Sequence, residues 1–155
     1  MIDPELAAFV EGGVAIHVGS RNGRLEPNGA RAAAVRVDAD GLHLSVYLAA
    51  VAAERLLPDL RANRVATVVF ARPVDDRACQ IKGELVDARA ATPADRGVVE
   101  NQWRQFLASM AAIGIPRAVT QGWAIWPAVV LRLRASAVFE QTPGPGTGGL
   151  FEPRA

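Results

Sequence analysis

Residues Ala30–Gly83 read ARAAAVRV, DADG, LHLSVYL, AAVAAERLLPDLRAN, RVATVVF, ARPVDDRA and CQIKG, and their punctuation decides the fold. Alternating β-forming residues predict strands over Ala30–Val37, Leu42–Leu48, Val65–Phe70 and Cys79–Leu85. The Asp-Ala-Asp-Gly sequence at 38–41 predicts a tight turn between the first two, and Arg72–Arg77 a hairpin loop between the last two. Ala50–Arg61, rich in alanine and leucine, predicts a short helix that Pro58 interrupts late. Two hairpins joined by one helix commonly build a small antiparallel barrel.

Within these strands alternation assigns faces. Ala30, Ala32, Ala34 and Arg36 share one face, and Arg31, Ala33, Val35 and Val37 the other. The small alanines let a helix or a flat ring approach closely. Leu42, Leu44, Val46 and Leu48 form a core face, leaving His43, Ser45 and Tyr47 for an interface. Val65–Phe70 is apolar throughout, which predicts a strand buried on both sides. Cys79, Ile81 and Leu85 point inward, with Gln80, Lys82 and Glu84 outward.

Working outward, Asp3-Pro4 starts a short helix and Gly12-Gly13 ends it. Val14, Ile16 and Val18 mark a strand, in which His17 reads as a surface or satisfied core residue, since no second ligand stands at metal-binding spacing. Thr92-Pro93-Ala94-Asp95 caps a long helix reaching about Ala112, with Val98, Val99, Trp103, Phe106, Leu107 and Met110 as its buried stripe. Ala128–Phe139 is a final strand with Val129, Leu131, Leu133, Ala135, Ala137 and Phe139 on one face. The reading is one domain over residues 1–155: an N-terminal helix (1–13), a helical insertion (92–122) and a flexible Gly/Pro-rich tail (142–155) around a mainly β (α+β), six-stranded antiparallel split barrel with flanking helices.

Bulk properties exclude several function classes. At 155 residues the chain can bury a core without staples, and the formal net charge of +1 gives no global field towards nucleic acid. No apolar run approaches the roughly 18 residues of a membrane span, and Met1-Ile2-Asp3-Pro4 shows no secretory signal. Cys79 is the sole cysteine, so an internal disulfide and multi-cysteine metal sites are excluded and a reducing cytoplasm is the expected compartment. Its place in an apolar strand marks it as core. No Ser-His-Asp set, paired acid/base carboxylates, Walker loop or Gly-x-Gly-x-x-Gly stands out, so no side chain is assigned a catalytic role.

Three pieces of wording in this order resemble the pyridoxamine 5'-phosphate oxidase-like, FMN-binding split-barrel family. They are Ala30–Arg36 with arginine near each end, the helix Glu54–Leu60 followed by Asn63–Phe70, and Gln80-Ile81-Lys82-Gly83, where the family's glycine ends the pairing. The resemblance implies a homodimer with FMN in the crevice between chains. It makes Arg31 and Arg36 phosphate contacts, although alternation puts them on opposite faces. Arg55 matches the arginine of the family's Ser-Arg-Lys motif, whose serine and lysine are Glu54 and Leu56 here. Ser45, Tyr47, Gln80 and Lys82 fall on strands that flank the flavin. Trp123 and Trp126 wall the crevice or pack the core. The family's C-terminal Arg-x-x-x-Trp ending is missing, so the resemblance implies an FMN-dependent oxidoreductase of another substrate. The alternative is a non-catalytic barrel that binds haem, another ligand or none.

Overall fold

The computed structural model describes residues 2–151. Seven strands form one antiparallel sheet: β1 (Ala15–Arg21), β2 (Pro27–Ala32), β3 (Ala34–Val37), β4 (His43–Ala49), β5 (Val65–Ala71), β6 (Ala78–Ala90) and β7 (Ala128–Glu140). The helices are α1 (Pro4–Val10), α2 (Ala50–Asn63), α3 (Arg96–Ala112) and α4 (Arg117–Thr120). None is long and apolar enough to cross a membrane. The expected split barrel is present, with seven strands instead of six.

The extra strand comes from a break at Ala33. The sheet order is β2-β1-β5-β6-β7-β4-β3, so two strands consecutive in the chain occupy opposite edges. Ala33 turns the corner between them, its N–H donating to the Tyr47 carbonyl at 2.8 Å. The break also shifts the side-chain phase. Ala32 and Val35 both enter the barrel core, whereas an unbroken strand would send residues three apart to opposite faces. Ala33 and Ala34 instead pack in a second, outer cluster with Tyr47, Val99 and Val130 beneath α3.

A second phase slip lies in β7. Lys82 faces Ala137 but Gly83 faces Ala135, so Ser136 is an extra residue bulged against β6. Its hydroxyl donates to the Lys82 carbonyl at 3.1 Å. Beyond it Val138 turns into the core and Phe139 outward, the reverse of the expected alternation. Gly83 does not end the pairing, as β6 runs on to Ala90. Glycine is needed because a Cβ there would stand 2.4 Å from the Arg134 carbonyl oxygen.

The barrel interior holds Ile16, Val18, Val35, Leu44, Leu48, Val68, Phe70, Ile81, Leu131 and Leu133. Ala53, Leu56 and Leu60 of α2 and Leu6, Phe9 and Val10 of α1 join this core. Helix α2 continues through Pro58 to Asn63, beyond the expected interruption. Strand β5 is buried on one face only: Ala66, Val68 and Phe70 are inside while Val65 is 42% exposed. Among the described residues, none covers Val65 on the outer wall.

Helix α3 seals the β3 edge. Gln102, in a stripe expected to be apolar, is 5% exposed. Its Oε1 accepts the Val35 N–H and its Nε2 donates to the Val35 carbonyl, both at 2.7 Å. The Val37 N–H donates to Glu11 Oε1 at 2.6 Å.

Two substitutions test these joints. Gly83→Ala forces a backbone shift and is expected to cost about 1–3 kcal/mol. Gln102→Leu strands a buried N–H and C=O and is expected to cost about 2–6 kcal/mol at about 1–3 per orphaned group. Urea unfolding measures both.

Candidate functional site

Arg31 leaves β2 on the outer wall, because its neighbour Ala32 points inward. Its guanidinium carbon lies 4.3 Å from the Trp123 ring centre and 5.2 Å from that of Phe106. Trp103 completes the aromatic group, 6.0 Å from Trp123 and 5.3 Å from Phe106. Facing an aromatic ring stabilises a cation, more so when water is excluded. Burial lowers the Arg31 pKa. Its Nη1 is buried and has no hydrogen-bond partner.

A trough of about 360 Å³ opens beside this guanidinium, lined by Arg31, Ala33, Ala49, Val51, Ala52 and Trp123 among others. Val51 and Ala52 belong to the first turn of α2, whose N-cap Ala49 supplies no side-chain acceptor. Pro127 takes the Ala50 N–H at 2.7 Å. The following N–H groups have no intrahelical acceptor, and the positive end of the helix dipole lies there. The trough therefore combines a cation, free donors and small walls, a setting suited to an oxyanion.

The other expected site residues divide into groups. Through the register, Arg31 pairs with His17, His17 with Val69, and Val69 with Gln80, so all four share one row across the outer wall. Three interstrand spacings separate Arg31 from Gln80, about 14 Å along the sheet. Lys82 lies in the next row, its ammonium 4.6 Å from the Phe139 ring centre. Arg36 also emerges outward, because the break at Ala33 cancels the expected opposition of faces. It lines a separate cavity with Glu11, Gly97, Val98 and Asn101. Ser45 pairs with Arg36 and Arg132 on that wall.

Tyr47 is 3% exposed beneath the chain's own α3 rather than free for an interface. Its hydroxyl stands 3.5 Å from Asp95 Oδ1. Burial and then the Asp95 charge raise the Tyr47 pKa. Asp95 accepts from both Arg89 guanidinium nitrogens, at 2.8 and 3.0 Å, and from the Thr92 N–H. The Arg89 bonds hold its carboxyl far below the usual carboxylate range. Arg55 is exposed in the second turn of α2, away from the first-turn donors, and its carbonyl accepts from Asn28.

Asp38, Asp40 and His43 gather at the β3–β4 turn, with candidate ligand atoms within 4.8 Å of one another. Their polar atoms serve the turn: Asp38 accepts from Arg132 and Asp40 from the Leu42 and His43 N–H groups. The His43 side chain is the main cause that pulls the Asp40 pKa down to about 2.

Trp123, expected to wall the crevice or pack the core, lies with Phe106 against Arg31. His17, expected as a surface or satisfied core residue, is exposed on β1 opposite Arg31. The required register could not be known without the pairing.

The architecture has close parallels among solved structures. HupZ of Group A Streptococcus aligns over 96% of this chain and 100% of that one, at 11% identity and a TM-score of 0.57. An F420 reductase aligns over 84% and 93%, at 16% identity and a TM-score of 0.51. An FMN-binding protein from Syntrophomonas wolfei subsp. wolfei aligns over 86% and 81%, at 7% identity and a TM-score of 0.54. No protein-family model and no curated protein matches the sequence. The chain shares a split-barrel fold with these proteins.

The Asp95 cluster makes a pH prediction. Its depressed folded pKa stabilises the protein above the unfolded value near 3.8, and this contribution disappears as pH falls through the folded pKa. Asp95→Asn is expected to cost about 1–3 kcal/mol at pH 7 and progressively less as pH falls from about 3.8 towards the folded pKa, read from unfolding across pH.

Proposed function

We propose that this chain binds a flavin mononucleotide, with the flavin phosphate at Arg31 and the first turn of α2. The observation that carries this reading is the buried, unpartnered Nη1 of Arg31 beside an alanine-walled trough at an uncapped helix start. A guanidinium supplies paired donors that match phosphate oxygens, and the small side chains admit a bulky group. The row from Arg31 to Gln80 offers a wall along which a flavin would lie, with Gln80 and Lys82 as polar contacts at its far end. Arg36, Ser45 and Tyr47 lie on the other wall and Arg55 on the solvent side of α2, so the phosphate role falls to Arg31.

The chain acts as a homodimer in this reading, a second copy covering the open outer wall of β1, β5 and β6. Bound flavin supplies hydride-transfer chemistry. The chain's residues hold the phosphate, orient the ring and keep water from it, and the overall activity is that of a flavin-dependent oxidoreductase.

A second reading, a non-catalytic barrel for a different ligand such as haem, is favoured by one observation. Val51 and Ala52 put no hydroxyl or amine where the phosphate would sit, leaving only backbone donors and Arg31.

The test is an absorbance spectrum of the purified protein followed by FMN titration. Flavin bands and saturable binding are expected, with Arg31→Ala weakening affinity at least tenfold, the equivalent of about 1.4 kcal/mol. A Soret band supports the second reading, and indifference to flavins and haem sinks both ligand assignments. Sedimentation measures the dimer.

A further inference from the structure

His17 stands directly opposite Arg31 in the β1–β2 ladder. Ile16 and Val18 are buried inward, as is Ala32, so both side chains rise from the outer wall. Residues opposed in this way bring their Cβ atoms to about 4.5–5.5 Å. Two residues along each strand, in the same wall, Gly19 faces Gly29. A Cβ on Gly29 would meet nothing nearer than the Val18 carbonyl oxygen at 3.5 Å, whereas one on Gly19 would stand 2.8 Å from Thr67 Cγ2, so the floor is open on the β2 side and closed by Thr67 on the β1 side.

No acidic group of the described residues neutralises this corner. Arg31 and His17 take part in none of the ion pairs found among the described residues. On the far side of His17, β5 presents Val69. Helix α3 brings Phe106 to Arg31, and α2 joins the core through Ala53, Leu56 and Leu60. The charged residues of α2 are Glu54, Arg55, Asp59 and Arg61, and those of α3 are Arg96, Glu100 and Arg104. Among all these groups Arg31 is the one whose charge shifts His17.

We propose that His17 and Arg31 form a two-cation clamp for a divalent oxyanion, the imidazolium joining the guanidinium when a phosphate monoester binds. The clamp deepens the anion-site reading given above and rests on it. Without an anion, a second positive charge beside Arg31 is unfavourable. Burial first and the Arg31 field second lower the His17 pKa. A bound dianion reverses the local potential and makes protonation favourable. Linkage is reciprocal, so a fall in pH through the range where His17 titrates tightens anion binding. His17 thus adds a contact selective for dianionic over monoanionic groups.

Sulfate is the probe, because it stays divalent from pH 5.5 to 8.5 and its own titration cannot contribute. Binding is followed by tryptophan fluorescence of the full chain, in which Trp123 stacks on Arg31. Sulfate affinity is expected to rise about tenfold from pH 8.5 to 5.5, one pKa unit of coupling. His17→Gln is expected to flatten this dependence while retaining binding, and His43→Gln, at the only other histidine, to leave it intact. An imidazole NMR titration of the wild type is expected to show the His17 pKa moving upward on sulfate addition. An unchanged pH dependence in His17→Gln, or an unmoved His17 pKa despite sulfate binding, overturns the clamp and leaves the Arg31 anion site standing. Absence of any sulfate or FMN response at every pH overturns both.

Discussion

One hydrogen bond, from the Ala33 N–H to the Tyr47 carbonyl, marks the constraint on which the barrel depends. A sheet that curls must do something with its two edges. Here a single segment serves both, ending one edge as β2 and beginning the other as β3. The corner requires residues without bulk, and three alanines supply it at 32–34. Because the corner shifts the phase, Ala32 and Val35 both fill the core and Arg31 and Arg36 both leave it. Arginine on that segment would otherwise have to enter a hydrophobic interior, where an unpaired charge is far too costly.

The consequences meet at Arg31. Its strand points it outward, and Phe106 and Trp123 partly remove it from water. The rings offset part of the desolvation through their quadrupoles, but they cannot accept conventional hydrogen bonds from every guanidinium N–H. The result is a half-buried cation with unused donor capacity, beside a helix start in the same condition. Neither deficit is relieved by a side chain of the trough. This shared deficit gives the corner its chemical character, and it arises from how barrel, helix and aromatic flap are joined rather than from a local motif.

Much of the fold was legible because alternation and turn chemistry are local. The Asp-Gly turn, both hairpins, α2 and the final strand all followed from spacing, and the structure moved their bounds by a few residues. What sequence could not reveal were phase slips such as those at Ala33 and Ser136. Each reverses every later face assignment on its strand, yet neither residue is of a type that demands a break. Gln102 was hidden for a related reason: a glutamine in an apolar stripe reads as a solvent-facing gap until the unpaired strand beneath it is known. The site was legible in part. The family resemblance implied a phosphate contact at Arg31, but Phe106, Trp123 and His17 reach Arg31 only through tertiary packing and register.

The Gln102 side chain does for β3 what another strand would do, since its amide presents one acceptor and one donor to Val35 in the spacing of a peptide group. With Glu11 on the Val37 N–H, that margin of the sheet has little left to offer an incoming strand. The β3 edge therefore offers molecules of this chain, crowded together during synthesis, no template on which one sheet could grow onto the next. Strand-by-strand aggregation is blocked at this margin.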